Sequence, residues 1–303
     1  MIDHYDDARA QLRTVRDLLR FAVTRFEAAD LFYGHGSDNA WDEAAYLVHH
    51  ALHLPLERIE AFLDARLTAA ERGAVLNMLR RRVEERVPAA YLTGEAFLGP
   101  YRFRVDERVI VPRSFIGELM IDGDLAPWID DAEAVENVLE LCTGSGCLAI
   151  VAAHAFPNAK VDAVDLSTDA LEVARLNVAD YGLEDTVTLY HSDLYQALPQ
   201  KRYDLILSNP PYVNAPSMAT LPEEYRREPE MALAGGEDGL DLVHTILREA
   251  PRFLTENGLL VVEIGHNRDD LEAAYPDTPF TWLETESGNE FVFLLNAADL
   301  PGN

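Results

Sequence analysis

The stretch NVLELCTGSGCLAIVAAHAF, Asn137 to Phe156, changes its pattern twice. NVLELC is a short apolar run of the kind that forms a buried strand. TGSG is a turn, and CLAIVAAHAF reads as a helix. Gly144, Gly146 and Ala149 satisfy G-x-G-x-x-G/A, directly after a strand and opening a helix. Small residues there let the backbone bend sharply and approach a ligand closely. A tight turn with no ligand is the plainer reading, and the strand-turn-helix context speaks against it.

Strand and helix keep alternating on the C-terminal side. KVDAVDLS is a second strand, followed by the helix TDALEVARLNVADYG. TVTLYHSD is a third strand and YDLILSN a fourth. GLDLVHTILREAPRFL reads as a long helix, GLLVVEIG as the fifth strand and DDLEAAY as a short helix. FTWLETES and EFVFLLN, joined through Gly288 and Asn289, read as a closing hairpin. This order predicts an α/β fold, a doubly wound and mostly parallel sheet with an antiparallel last strand. Asp165 ends the second strand about twenty residues after the glycine turn, where a carboxylate reaches a ribose diol. Asp193 ends the third strand. Turn and acids all lie at carboxyl ends of strands, where such a sheet places its ligand. The ligand is a dinucleotide or S-adenosylmethionine. The mid-chain position of the turn, the terminal hairpin and the sequence after the fourth strand lean against a dinucleotide.

That sequence is SNPPYV, Ser208 to Val213. Two prolines remove two backbone donors and fix two φ angles, so the run cannot continue a central strand. An amide or ring amino nitrogen is a poor nucleophile because its lone pair is delocalised. A clamp that accepts both N–H hydrogens aims that lone pair. Asn209 offers a side-chain carbonyl, Pro210 a backbone carbonyl, and Tyr212 an aromatic face.

The N-terminal part is of another kind. Leu12, Val15, Leu18, Leu19, Ala22, Val23 and Phe26 recur at helical spacing. Asp38 or Asn39 caps a second helix. Thr68 and Glu71 form a capping box for a third, which Pro88 closes. EAFLGPYRFRVDERVIVPR reads as a β-hairpin arm and SFIGELMIDGDLAPWI as a helix from Ser114. The expected division is a helical substrate-recognition domain over 1–86, a β-hairpin linker over 87–113 and a catalytic domain over 114–303.

The formal net charge of −28 argues against a general affinity for nucleic-acid backbone. It would attract a basic partner, or reflect solubility or salt adaptation. No apolar run is long enough to span a membrane, and the acidic start has no signal-peptide pattern, so the expected compartment is the cytoplasm. Cys142 and Cys147 do not suggest a disulfide scaffold. His49 and His53 lie at i and i+4 without a third metal ligand, so no metal is expected. RRRVEERV reads as a solvated helix face, and GGEDGLD as a loop near the site rather than a calcium loop.

NPPY after the fourth strand, with ELCTGSG, AVDLS and HSDL before it, resembles the S-adenosylmethionine-dependent amino-methyltransferases. These include adenine-N6 DNA methyltransferases and protein glutamine-N(5) methyltransferases. The helical front, YLTGEAFLGPYRFRV, VIVPR and EPEMALAGGEDGL resemble the glutamine enzymes almost end to end. Release-factor enzymes usually carry P-R-P-E-T-E after the hairpin. PRSFIGEL, Pro112 to Leu119, with CTGSGC instead resembles the branch acting on ribosomal protein 3 of the large subunit. The resemblance implies a Rossmann-like methyltransferase fold behind a small helical domain. It implies S-adenosylmethionine as cofactor and S-adenosylhomocysteine as product, without a metal. Cys142, Thr143, Gly144, Ser145 and Gly146 would hold the methionine end, Asp165 the ribose, and Asp193 and Leu194 the adenine. Asn209 would also border the cofactor. Asn209, Pro210, Pro211 and Tyr212 would hold the glutamine, with Asn209, Pro210 and Tyr212 acting in catalysis. A basic large-subunit ribosomal protein is then the expected partner, without direct nucleic-acid or membrane binding. The alternatives are a release-factor substrate, adenine-N6 methylation of nucleic acid, or a non-catalytic assembly factor that binds the cofactor.

Overall fold

The structure, a computed structural model, describes residues 4–285 and 288–301. It divides into two compact units, one of Met1–Glu95 with Pro222–Arg227, the other of Ala96–Leu221 with Glu228–Asn303.

The first unit is helical. Its elements are α1 (His4–Gln11), α2 (Val15–Ala28), α3 (Ala40–Leu52), α4 (Ala69–Glu84) and α5 (Ala89–Thr93). Caps set their starts: Thr14 with Asp17 at α2, Asn39 at α3, and Thr68 with Glu71 at α4. Val15, Leu18, Leu19, Ala22 and Phe26 face a core shared with Leu47, Val48, Leu76 and Leu79. Pro88 does not simply close α4. That helix has already ended at Glu84, and Pro88 stands at the start of α5, where its missing N–H costs nothing. The run RRRVEERV is not all solvated either. Arg82 is among the most buried side chains, bonded to Glu43 at 2.6 Å and to Glu224 at 3.1 Å. A buried guanidinium is tolerated only when so paired. Pro222–Arg227, which follows NPPY by ten residues, is packed into this unit through Glu224.

A two-stranded sheet, β1 (Glu95–Leu98) and β2 (Tyr101–Arg104), starts at the last residue of the first unit and otherwise belongs to the second, turning at Gly99 with φ +53°. Val109–Arg113, expected as part of this hairpin, lies outside the described strands. Helix α6 (Phe115–Asp122) ends at Gly123 in the left-handed conformation, short of the expected Ile129. The alternating part follows: β3 (Asn137–Leu141), α7 (Cys147–Ala155), β4 (Lys160–Asp165), α8 (Thr168–Asp180), β5 (Val187–His191), β6 (Tyr203–Ser208), α9 (Ala215–Met218), α10 (Asp241–Glu249), β7 (Leu254–Glu263), α11 (Arg268–Ala274), β8 (Thr281–Trp282) and β9 (Val292–Asn296). Helix α10 is shorter than expected. Pro251 follows in a 3-10 turn, and Leu254 already belongs to β7. Of the expected strand FTWLETES, Glu286 and Ser287 lie outside the described residues.

The seven-stranded sheet has the order β5-β4-β3-β6-β7-β9-β8. β3 to β7 pair in parallel, and β9 runs antiparallel to β7 and β8. The chain leaves β3 for β4 on one side and later returns to β6 on the other. That reversal opens a crevice at the carboxyl ends of β3 and β6. Apolar strands such as Val138–Leu141 and Leu205–Leu207 are buried because helices cover both sheet faces.

Candidate active site

Register alone brings the motifs together. Leu141 pairs with Val164 on β4 and with Ser208 on β6. The next residue of each strand is therefore Cys142, Asp165 or Asn209, three side by side at the crevice. All three line one cavity with Gly144, Leu166, Asp193, Leu194, Pro211 and Met231.

Cys142 has φ +62° and Gly144 φ +55°, left-handed values that favour glycine. The turn is held from below. Thr143 N–H donates to the Val164 carbonyl at 2.9 Å, and the Thr143 hydroxyl donates to Glu140. Glu140 is fully buried, and burial pushes its pKa up to about 8. A Cβ on Gly146 would meet Ala174 at 3.2 Å, so α8 packs directly on the turn. The Ser145 carbonyl accepts from Asn177 at 2.8 Å. Thr143, Ser145 and Gly146 thus support the turn from behind the cavity wall, while Cys142 and Gly144 form the wall itself. Both cysteines are free, and burial pushes the Cys147 thiol up to about 12.

Asp165 is raised by burial, opposed by backbone N–H groups. One oxygen accepts from Gly144 and the other from Ser167, each at 2.8 Å. The Leu166 N–H donates to the carboxylate as well, and three donors on four lone-pair sites leave capacity for a hydroxyl. Asp193 lies two residues beyond β5, exposed, and accepts from Gln196 at 2.7 Å. Leu166, 54% exposed, joins Ile110 and Leu194 as apolar wall. A carboxylate beside apolar side chains suits a ribose next to a purine, so these residues fit an adenosyl ligand.

The NPPY segment is held on every side. The Arg113 carbonyl can only accept, so the Asn209 atom facing it at 3.2 Å is the amide nitrogen Nδ2. Asn209 Oδ1 is left to accept elsewhere. Arg113 is itself fixed by two 2.6 Å bonds to Glu228, which also accepts from Val111 N–H at 2.9 Å. Pro210 is buried. Around Tyr212 the backbone comes close. A Cβ on Gly235 would sit 2.8 Å from the Tyr212 Cα, and one on Gly239 would sit 2.4 Å from its carbonyl. Val213 pairs with the same glycine-rich run through Leu233 and Gly235. The loop GGEDGLD therefore lies against the clamp, as expected.

Arg113, Glu228 and Glu263, which touches Tyr212, were not singled out from the sequence. Their signals were an arginine after a proline, an acid in EPEMAL and an acid inside an apolar strand. His49 is buried in α3, and His53 stands at the helix C-cap. Among the described residues no three His, Cys, Asp or Glu side chains gather as a metal site. Nor is any described helix long and apolar enough to cross a membrane.

Comparison with known proteins agrees with this geometry. Residues 17–94 match the PrmC N-terminal domain, and residues 125–222 the Methyltransferase small domain. The hMettl16 catalytic domain, solved with MAT2A 3'UTR hairpin 6, shares the fold at TM-score 0.50 and 14% identity, over 75% of this chain and 80% of that one. The ribosomal protein uL3 glutamine methyltransferase of Burkholderia pseudomallei (strain K96243) is 62% identical over 95% of this chain and 96% of its own. Its namesake in Neisseria meningitidis serogroup A / serotype 4A (strain DSM 15465 / Z2491) is 59% identical over 98% of both. The chain belongs to the ribosomal protein uL3 glutamine methyltransferase family.

Proposed function

We propose that this protein transfers a methyl group from S-adenosylmethionine to the side-chain amide nitrogen of a glutamine in ribosomal protein uL3. The observation that carries the reading is the orientation of Asn209. Its Nδ2 is committed to the Arg113 carbonyl, and its Oδ1 stays available beside a cavity that suits an adenosyl group. Asp165 would take the ribose hydroxyls, and Leu166, Asp193 and Leu194 would border the purine. Cys142, Gly144 and the turn behind them would take the methionine end. When bound, the cofactor supplies a methyl group on a positively charged sulfur and leaves as S-adenosylhomocysteine.

The residues of this chain then have one task. Asn209 Oδ1 accepts one N–H of the glutamine amide and the Pro210 carbonyl accepts the other. With both hydrogens held, the nitrogen lone pair has one direction left, and positioning of that kind supplies several kcal/mol; one of the two held protons then passes to water, so that the product is a neutral N-methyl amide. Pro211 stiffens the backbone, and Tyr212 packs on the planar amide. The helical unit would recognise the surrounding protein. A ribosomal substrate supports a cytoplasmic reaction.

The test uses purified uL3, labelled cofactor and two enzymes. Wild type should label uL3. Asn209→Ala should lose at least about a hundredfold in kcat while retaining cofactor affinity, because one N–H is left unsatisfied and the amide is free to turn. Unlabelled uL3 with the wild-type enzyme would overturn the reading.

A further inference from the structure

Glu263 ends β7 and breaks an apolar run, with Leu260, Val261 and Val262 before it and Ile264 after it. It is 2% exposed. A carboxyl buried so deeply is costly unless donors meet it. Here they converge from two directions. From the start of α6, Ser114 Oγ donates to Oε2 at 2.7 Å and Phe115 N–H at 3.0 Å, with the Ile116 N–H beside them. From the clamp, the Tyr212 hydroxyl donates to Oε1 at 3.3 Å. Ser114 stands at the N-cap of α6, yet its side chain makes no cap bond there. The carboxyl from β7 takes over that duty and serves N–H groups that would otherwise be orphaned.

The chain leaving β7 stays on Tyr212. A Cβ on Gly265, φ +55°, would lie 2.7 Å from the tyrosine ring, so only glycine lets the ring rest there. Asn267 Nδ2 donates to the Tyr212 carbonyl at 2.8 Å. Residues 263, 265 and 267 thus meet Tyr212 at its hydroxyl, its ring edge and its backbone. A helix cap alone would need none of these contacts.

We propose that Glu263 is a positioning residue of the acceptor clamp, holding the Tyr212 phenol against the start of α6 so that the ring presents one fixed face to the substrate amide. It touches no substrate and acts through Tyr212. The proposal rests on the functional reading above, in which Tyr212 packs on the amide.

A double-mutant cycle tests it on the full chain with uL3 as substrate. Glu263→Ala and Tyr212→Phe should each lower kcat by about tenfold, with KM and cofactor affinity within about twofold, the mark of lost orientation rather than lost binding. The double variant should be no slower than the singles, because both remove one contact. Glu263→Gln should stay within about threefold of wild type, since its oxygen can serve α6 while its NH2 group faces a hydroxyl able to turn and accept. Tyr212→Phe leaves the buried carboxyl and its α6 contacts in place, and a wild-type kcat in that variant overturns the proposal whether or not Glu263→Ala folds. Losses that add in the double variant overturn it as well. Failure of the wild-type enzyme to methylate uL3 overturns the functional reading itself. Methylation by wild type with additive losses overturns only the role of Glu263.

Discussion

Glu140 lies in the middle of the sheet and is satisfied by the Thr143 hydroxyl and the Ala149 N–H rather than by a cation. Its pKa stands at about 8 against an ordinary 4.5, raised chiefly by burial. The folded protein thus holds this proton more tightly than the unfolded chain does. Its contribution to stability is full below the unfolded value and is lost as pH rises through the folded one. Glu140→Gln removes the titration. Its melting temperature relative to wild type should climb between about pH 5 and pH 9. A constant difference across that range would mean that Glu140 is solvated in the folded state. Asn209 and Asp165 could be found in the sequence because each directly follows or ends an apolar strand, and strand ends are where such folds bind ligands. Arg82 could not. A charge run looks the same whether one guanidinium points out or in, and only the distant Glu43 and Glu224 decide it.

Two stretches far apart in sequence, Val109–Arg113 and the segment from Glu228 to Gly235, carry no regular ladder yet fix the clamp between them. Their joint is the pair Arg113 and Glu228, whose carboxylate side chain is fully buried. Glu228→Gln removes the buried carboxylate that Arg113 and the Val111 N–H share, and breaking such a pair costs about 3 kcal/mol. Denaturant unfolding should show that loss, together with a fall in methyl transfer, because the Arg113 carbonyl would no longer be held against Asn209. Unchanged stability and transfer would mean that the loop is fixed by its other contacts. The alternating strands and helices, the closing antiparallel strand and the capping box of Thr68 and Glu71 were legible, because each rests on local periodicity or on side chains three residues apart. These loops were not, because their bonds span more than a hundred residues. The ends of α6 and α10 were overestimated for a related reason. Apolar runs continue past Gly123 and Pro251, and backbone geometry stops the helices first.

The −28 charge is unevenly spread over the chain. Residues 1–95 hold 16 of the 53 acidic side chains and 12 of the 25 basic ones, so most of the excess belongs to the methyltransferase unit. A ribosomal protein that contacts RNA needs a basic surface. Attraction between the two would act at long range and would weaken as the Debye length shrinks from about 10 Å at 0.1 M salt to about 3 Å at 1 M. For free uL3, kcat/KM should therefore fall with salt while kcat stays nearly flat. Mature large subunits, with RNA around the protein, should be poorer substrates than free uL3. Equal rates on both, without salt dependence, would leave the acidic surface to solubility alone. The proposed clamp makes a sharper demand, because its acceptors would suit a planar amide with two N–H hydrogens and would offer no advantage to an amine. Tandem mass spectrometry of uL3 methylated by this enzyme decides the matter. The methyl group should sit on the side-chain amide nitrogen of a glutamine, and a methyl group found instead on a lysine or arginine would contradict the account.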